Sequence, residues 1–380
     1  VTGYLEIENS ISSSIDLSGL ETVAGYAYIH DNEDTLTVDL SGLTSVGDYL
    51  YITSNEELTG VDFGALETVD GSVYIYNSDN FEDLNLDSLR TVESSLNISN
   101  NDAMEGLSMP ALEEVEGSMQ FENNQSLVEL SATALTTVGG SFTVYDNDDL
   151  ESLVFSGLEE VESGLYLQYN NGLEEADFSS LASMGSTLYI YQNEGLEALD
   201  LGSLTEINGG FYLSYNTSLV TLNLDSLYEL SGELYVYDND DLETLSLPSL
   251  EEISSSMMIS YNDGLLELSA PVLSSLGSNL YIQENPDLVT VDLSSLTCVD
   301  DYTIEGNAIS EDDHYDLLVQ ITCSSEDSLI IFRDGDASDF CDSAETEVEN
   351  LYINALGTDP VDLSCLSTVT GDLEIENSIS

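Results

Sequence analysis

Tyrosine is the residue type best placed to do chemistry in this chain. Cut every 23 residues from Val23, the sequence puts tyrosine at the sixth position as Tyr28, Tyr51, Tyr74, Tyr166, Tyr189, Tyr212, Tyr235 and Tyr281. The eighth position adds Tyr76, Tyr145, Tyr191 and Tyr237, while Asn97, Gln120, Thr143 and Met258 interrupt the first column. Tyrosine supplies contact area at low entropic cost together with a polar tip, which is the chemistry of recognition. Stacked tyrosines also cover strands and stabilise a ladder, and the pattern accommodates both roles.

Catalytic chemistry has few candidates. The two histidines, His30 and His314, fall in unrelated settings: His30 at an outward strand position, His314 on the surface of a helix. No Ser-His-Asp order, metal-binding His pair or glycine-rich phosphate loop can be assembled. With 75 Asp and Glu residues, paired carboxylates occur everywhere by composition and say nothing about glycosidase chemistry. The chain therefore reads as non-enzymatic, with no cofactor beyond cations. Acidic corners such as Asp31–Asp34, Asp146–Asp149 and Asp238–Asp241 offer oxygens to Ca²⁺, a hard ion that wants several. Asp334, Asp336 and Asp339, with Glu345 beyond, partly match an EF-hand loop. Asp339 stands where that loop needs Gly, and Cys341 interrupts it.

Two kinds of covalent chemistry remain. Sequons occur at Asn97, Asn124 and Asn216. The latter two occupy an inward column, which leaves Asn97 as the acceptor. Four cysteines, Cys298, Cys323, Cys341 and Cys365, lie in the last quarter of the chain and allow three pairings. Their spacing lacks the close pair of a zinc knuckle. Cysteines flanking an irregular segment point to disulfides in an oxidising, extracellular or cell-surface setting. The expected pairs are Cys298–Cys323 and Cys341–Cys365.

Charge excludes whole classes of partner. Arg90 and Arg333 are the two basic residues, there is no Lys, and the net charge is −73. Nothing is available to neutralise nucleic-acid phosphates, and anionic membrane surfaces repel the chain for the same reason. Adjacent coils would hold their carboxylates about 4.8 Å apart. The Debye length is about 10 Å at 0.1 M salt and about 3 Å at 1 M, so the surface reads as adapted to molar salt or abundant divalent cations.

The elements that position these residues come from the repeat. Units beginning at Val23, Val46, Val69, Val92, Val115, Val138, Val161, Met184, Ile207, Leu230, Ile253 and Leu276 align without a gap. A fixed period of this length predicts a stacked solenoid, because one unit cannot bury its apolar edge alone. In the unit at Leu230, Leu234 and Val236 alternate with Tyr235 and Tyr237, as in a strand with one buried face. Leu242, Leu245 and Leu247 follow on a second extended edge, and Leu250 closes the turn. Glycine at the third position (Gly25, Gly71, Gly117, Gly232) is expected to permit a corner. The tenth position is nearly always asparagine: Asn32, Asn55, Asn101, Asn124, Asn147, Asn170, Asn193, Asn216, Asn239, Asn262 and Asn285. An inward asparagine at a coil corner can satisfy backbone groups of its own and the next coil. The expected organisation is a solenoid over 1–298, an irregular cysteine-bearing segment with a short helix over 299–350, and resumed coils over 351–380. A helix is predicted from Ser310, and a strand over 328–332.

The string L-x-I-x-x-N-x-x-L, as in Leu280, Ile282, Asn285 and Leu288, resembles a leucine-rich repeat. The joined form, L-x-x-L-x-x-V-x-G-x-L-x-I-x-x-N, is closest to the receptor L-domain type, found in growth-factor receptor ectodomains, fungal wall proteins and microbial surface proteins. The resemblance covers 1–298 and 351–380. It implies a mainly-β, right-handed parallel β-solenoid and names no ligand. Val369–Ser380 repeats Val1–Ser12 with one difference, Asp372 for Tyr4. The chain opens inside a repeat, as a processed or excerpted product would. Together these features predict an extracellular structural or adhesive protein that assembles with itself end to end, into a filament or surface layer in high salt. The alternative is a receptor-like ectodomain that binds a glycan or a surface protein through its tyrosine face.

Overall fold

The computed structural model describes residues 1–299, 301–321, 328–331, 347–348, 350–354, 368–369 and 373–376. Two compact units result, one comprising Val1–Ser295 with Asp301–Ala308, the other Leu296–Asp300 with Ile309–Ser380.

The first unit is the parallel β-solenoid that the period predicts. Each coil makes three short strands, such as Leu234–Tyr237, Thr244–Ser246 and Glu252–Ile253. The four-residue strands stack in chain order into a 14-stranded parallel sheet from Leu5–Glu8 to Tyr302–Glu305. Its last strand follows Cys298, just past the expected limit of the solenoid. Two-residue strands, Thr22–Val23 through Ser275–Leu276, form a 12-stranded sheet, and the remaining edge is covered by sheets of four, six and three strands. Alternation sets the faces: Leu234 and Val236 are buried, while Tyr235 and Tyr237 are half-exposed. Equivalent residues sit in register, with Tyr28 opposite Tyr51 and Tyr51 opposite Tyr74.

The interior is apolar except for one polar column. Leu242, Leu245, Leu247 and Leu250 are fully buried, and Phe142 packs edge-on against Phe155 with ring centres 4.7 Å apart. Each such side chain contributes about 1.5–3 kcal/mol by leaving water. All eleven ladder asparagines are fully buried. Asn193 shows the pattern. Its Nδ2 donates to the Leu167 carbonyl at 2.9 Å and to Asn216 Oδ1 at 3.2 Å, and its backbone N–H donates to the same Oδ1 at 3.1 Å. One amide thus serves a carbonyl of the preceding coil, while its oxygen serves the coil before it. The corner is closed without an orphaned group. Asn307 extends the ladder at a 22-residue spacing, accepting from Asn285 at 3.2 and 3.1 Å. Ser78 breaks it, and Asn101 Oδ1 is left without a hydrogen-bond partner.

The corner is made differently from the glycine reading. The residue before each ladder position takes a left-handed backbone, from φ 48° at Asn9 to φ 58° at Tyr215 and Tyr261. In twelve successive coils after Asn9 that residue is never glycine; Gly306 takes the place one coil later, at φ 69°. The third-position glycines are needed for closeness instead. A Cβ on Gly117 would lie 2.7 Å from the Ser94 carbonyl carbon, and one on Gly232 only 2.5 Å from that of Gly209. The recurrent Asp of the second edge caps a turn: Asp39, Asp62 and Asp200 each accept a backbone N–H from two residues on, at 2.9–3.0 Å.

In the second unit, the helix Glu311–Ile321 starts where predicted. Ser310 caps it, accepting from the Asp313 N–H at 3.2 Å while its hydroxyl donates to the Asp313 carboxylate at 2.6 Å. Leu317, Leu318 and Ile321 are buried. His314 is half-buried rather than on the helix surface, and that burial holds its imidazole below the usual histidine range. Strands Ser328–Ile331, Asn350–Asn354 and Leu373–Glu376 form a parallel sheet, and Glu347–Val348 pairs with Thr368–Val369. Cys298 is disulfide-bonded. Cys323, Cys341 and Cys365 lie outside the described residues, as do Asp334, Asp336 and Asp339.

Candidate functional site: the tyrosine face

The solvent side of the 14-stranded sheet gathers tyrosines into two clusters rather than one continuous column. In the first, Tyr4, Tyr26 and Tyr49 stack nearly parallel, with ring centres 4.7 and 5.0 Å apart. Tyr49 meets Tyr51 edge-on at 4.9 Å. Tyr51 in turn contacts Tyr28, Tyr74 and Tyr76 at 5.7, 4.8 and 6.3 Å. His30 lies against Tyr28 at 3.9 Å.

The second cluster is a zipper. Tyr145, Tyr169, Tyr191, Tyr215, Tyr237 and Tyr261 follow one another across six coils with ring centres 5.2–5.5 Å apart. Tyr145, Tyr191 and Tyr237 come from the eighth position of alternate coils. Tyr169, Tyr215 and Tyr261 come from the left-handed corner position of the coils between. Beside the zipper runs a second row, Tyr189, Tyr212 and Tyr235, joined to it by stacked pairs Tyr189–Tyr191 and Tyr235–Tyr237, both at 5.7 Å. Rings at these separations attract one another beyond their area burial. Between the clusters the face is polar: Asn97 Nδ2 donates to Gln120 Oε1 at 3.0 Å, and Ser99 donates to Asn97 Oδ1 at 2.9 Å. From Tyr76 to Tyr145 is three coils, about 14 Å at 4.8 Å per strand.

Of the tyrosines expected from the sequence, Tyr28, Tyr51, Tyr74 and Tyr76 join the first cluster, and Tyr189, Tyr191, Tyr212, Tyr235 and Tyr237 the second. Tyr166 and Tyr281 share the face but turn away. Tyr166 lies over Gly164, where a Cβ would be 2.6 Å from its ring. The Tyr281 hydroxyl accepts from Asn279 at 2.8 Å. Sequence reasoning missed Tyr4, Tyr26, Tyr49, Tyr169, Tyr215 and Tyr261. The signal that would have found the last three is a 46-residue alternation, two coils long, hidden beneath the 23-residue period.

The rings are weakly acidic and rimmed by carboxylates. Burial first, then neighbouring rings, pushes Tyr51 and Tyr189 above the usual phenol range. Burial, Glu233 and Tyr189 do the same to Tyr212. Tyr237 is raised by burial and by Tyr215, Asp238 and Tyr261. Neutral phenols therefore persist well into alkaline pH. Asp238 is itself raised, by burial first and then by Asp240 and Asp263, which is the crowding of like charge expected between coils. Arg90, the described basic side chain, is paired with Glu113. The face is thus apolar at its centre and negative at its rim.

Asn124 and Asn216 are fully buried in the ladder. Asn97 is half-buried with its amide engaged as above. Among the described residues, the acidic corners bring no three ligating atoms together; the one convergent group is Glu6, Glu8 and His30. No helix among the described residues is long and apolar enough to cross a membrane.

A parallel solenoid of leucine-rich coils with a buried asparagine ladder is a leucine-rich-repeat, receptor L-domain-like fold. Residues 42–138 match the model of the Receptor L domain family. Among solved structures, a leucine-rich repeat protein from Bacteroides ovatus is similar at 15% identity, covering 98% of this chain and 83% of that one with a TM-score of 0.31. No curated protein matches the chain.

Proposed function

We propose that this protein is a non-enzymatic, extracellular adhesive scaffold that holds a neutral or cationic partner, a glycan or a surface protein, against its tyrosine face. The observation that carries this reading is the zipper from Tyr145 to Tyr261 with its flanking row. Nine rings in mutual contact lie on the solvent side of a rigid sheet, and Tyr215 and Tyr261 remain 38% and 49% exposed. Packing alone does not require exposed aromatic rings at the left-handed corner, a position that Asp31, Ser54, Gln192 and Glu284 fill in other coils. The receptor L-domain likeness of residues 42–138 agrees with binding. Glycan and peptide arrays probed in molar salt test the reading: Tyr215→Ala with Tyr261→Ala should reduce the signal at least about tenfold without loss of fold. Signal equal to wild type would reject it.

End-to-end assembly is the second reading, and the sheet edges favour it. Leu5–Glu8 and Leu373–Glu376 carry the same sequence, and each is an edge strand of its sheet. Strand order follows chain order in both sheets, so one edge offers its upstream side and the other its downstream side. A further copy of this segment could pair with either. Filaments seen by electron microscopy in molar salt support this reading; dispersed particles under all salt conditions reject it.

A further inference from the structure

One cluster on the sheet, beside the first group of tyrosines, gathers ligating side chains from two neighbouring strands. Glu6 and Glu8 lie on strand Leu5–Glu8, and His30 lies on the neighbouring strand Ala27–His30, directly opposite Glu8. His30 Nε2 is 3.4 Å from Glu6 Oε1 and 4.0 Å from Glu8 Oε2. The ligating atoms of all three lie within 4.8 Å of one another. We propose that Glu6, Glu8 and His30 bind a divalent transition-metal ion of the zinc type, with Asp31 as the residue that orients the histidine.

Three features make this more than a patch of negative charge. First, the imidazole is held. Its side chain is only 12% exposed, and the Tyr28 ring stacks on it at 3.9 Å and 29°. Second, its tautomer is set from behind. Nδ1 lies 2.8 Å from Asp31 Oδ2, so Asp31 accepts the Nδ1 proton and leaves the Nε2 lone pair facing the two glutamates. A carboxylate behind a ligating histidine is the usual outer arrangement of a metal site. Third, the spacing is right. Ligands about 2.0–2.2 Å from a tetrahedral zinc stand roughly 3.3–3.5 Å apart, so small rotations of exposed glutamate side chains close the group around an ion.

The donor set also selects the ion. One imidazole nitrogen and two carboxylates, with a position left for water, suit Zn²⁺, Co²⁺ or Mn²⁺. Ca²⁺ and Mg²⁺ prefer sites made of oxygen. Protons compete for the same atoms. Burial pulls the His30 pKa down, but Asp31, Glu6 and Glu8 outweigh it and hold the imidazole above its usual range. Tyr28 and the Asn9 amide, which donates to Glu8 at 3.3 Å, complete the surroundings. Metal binding should therefore release a proton and weaken as pH falls.

The test uses the full chain, free of any purification tag, in about 2 M KCl so that diffuse attraction to the acidic surface is screened. Co²⁺ is titrated and its visible absorption followed, then displaced with Zn²⁺. One equivalent should saturate. His30→Gln and Glu8→Gln should each weaken binding at least about tenfold, and Asp31→Asn about 10–100-fold, with circular dichroism unchanged. His314→Gln should bind like wild type. Equal Co²⁺ affinity in wild type and His30→Gln, or no saturable binding, would overturn the site.

Discussion

Replacing Ser78 with asparagine should stabilise the solenoid. Where the ladder is unbroken, as at Asn147 and Asn193, the amide donates to a carbonyl 26 residues earlier and to the asparagine oxygen 23 residues later. At position 78 the chain has a fully buried serine instead. Its hydroxyl takes only a 3.4 Å contact from the Asn55 N–H, and Asn101 Oδ1 has no partner. An asparagine there would donate to Asn101 Oδ1 and to the Ile52 carbonyl, and would accept from Asn55. Satisfying a buried acceptor is worth about 1–3 kcal/mol, and an added hydrogen bond about 1 kcal/mol net. Ordering a longer side chain and fitting its extra atoms offset about 1–2 kcal/mol. The expected gain is about 1–2 kcal/mol, read as a rise in the urea midpoint with an unchanged slope. Asn193→Ala removes a fully bonded member and should cost about 3 kcal/mol or more, whereas Asn101→Ala, whose oxygen is already idle, should cost less. A Ser78→Asn protein no more stable than wild type, with Asn101→Ala as damaging as Asn193→Ala, would refute the ladder energetics.

Other outcomes follow from charge and from the rings. Below roughly 0.1 M salt the thermal midpoint should fall, because carboxylates of adjacent coils are then poorly screened; a melt unchanged between low and molar salt, with divalent ions chelated, contradicts the salt adaptation. Burial first, then Asp240 and Asp263, hold the Asp238 carboxyl above the usual carboxylate range in the folded protein. Its stabilising contribution is therefore present at acidic pH and lost as pH rises through that raised value. Asp238→Asn should stabilise the protein at neutral pH, more in low salt than in high; no difference from wild type would count against the crowding. For Tyr51, Tyr189 and Tyr235 the folded pKa is raised, by burial first, so their contribution to stability is complete below the usual phenol range and declines as pH rises through the raised values. Absorbance at 295 nm should show part of the phenols ionising late, together with unfolding, and a single transition near pH 10 in the native protein would contradict it. Peptide mapping without reduction should recover Cys298–Cys323 and Cys341–Cys365; Cys298 linked to Cys341 or Cys365 would overturn that pairing.

The period carried most of the fold. Leu234 and Val236 alternating with Tyr235 and Tyr237 already assigned the buried and open faces, and both assignments hold. The asparagine column was legible because a fully buried amide has one reason to recur at a corner. The corner itself was not. Its left-handed residue is variously Asp31, Ser54, Gln192, Tyr215 or Glu284, since the backbone is imposed by the stacked coils rather than by local preference. No single residue type marks it, and the glycines that drew attention serve close approach instead. The zipper was half-visible for the same reason. Tyr191 and Tyr237 lie in a column, whereas Tyr169, Tyr215 and Tyr261 occupy the unmarked corner and meet them only because alternate coils bring them into reach. The metal cluster was invisible in sequence because Glu6, Glu8 and His30 are joined by strand register across a coil.

The central claim is that the second tyrosine cluster is a binding surface, and one comparison tests it most directly. Glycan and peptide arrays in molar salt would be probed with wild type, with Tyr215→Ala and Tyr261→Ala combined, and with Asp83→Asn on the second strand edge as a control. The account predicts discrete signals for wild type and the control, reduced at least about tenfold by the tyrosine pair, in keeping with aromatic anchors that dominate recognition. Signals carried equally by all three proteins would contradict it.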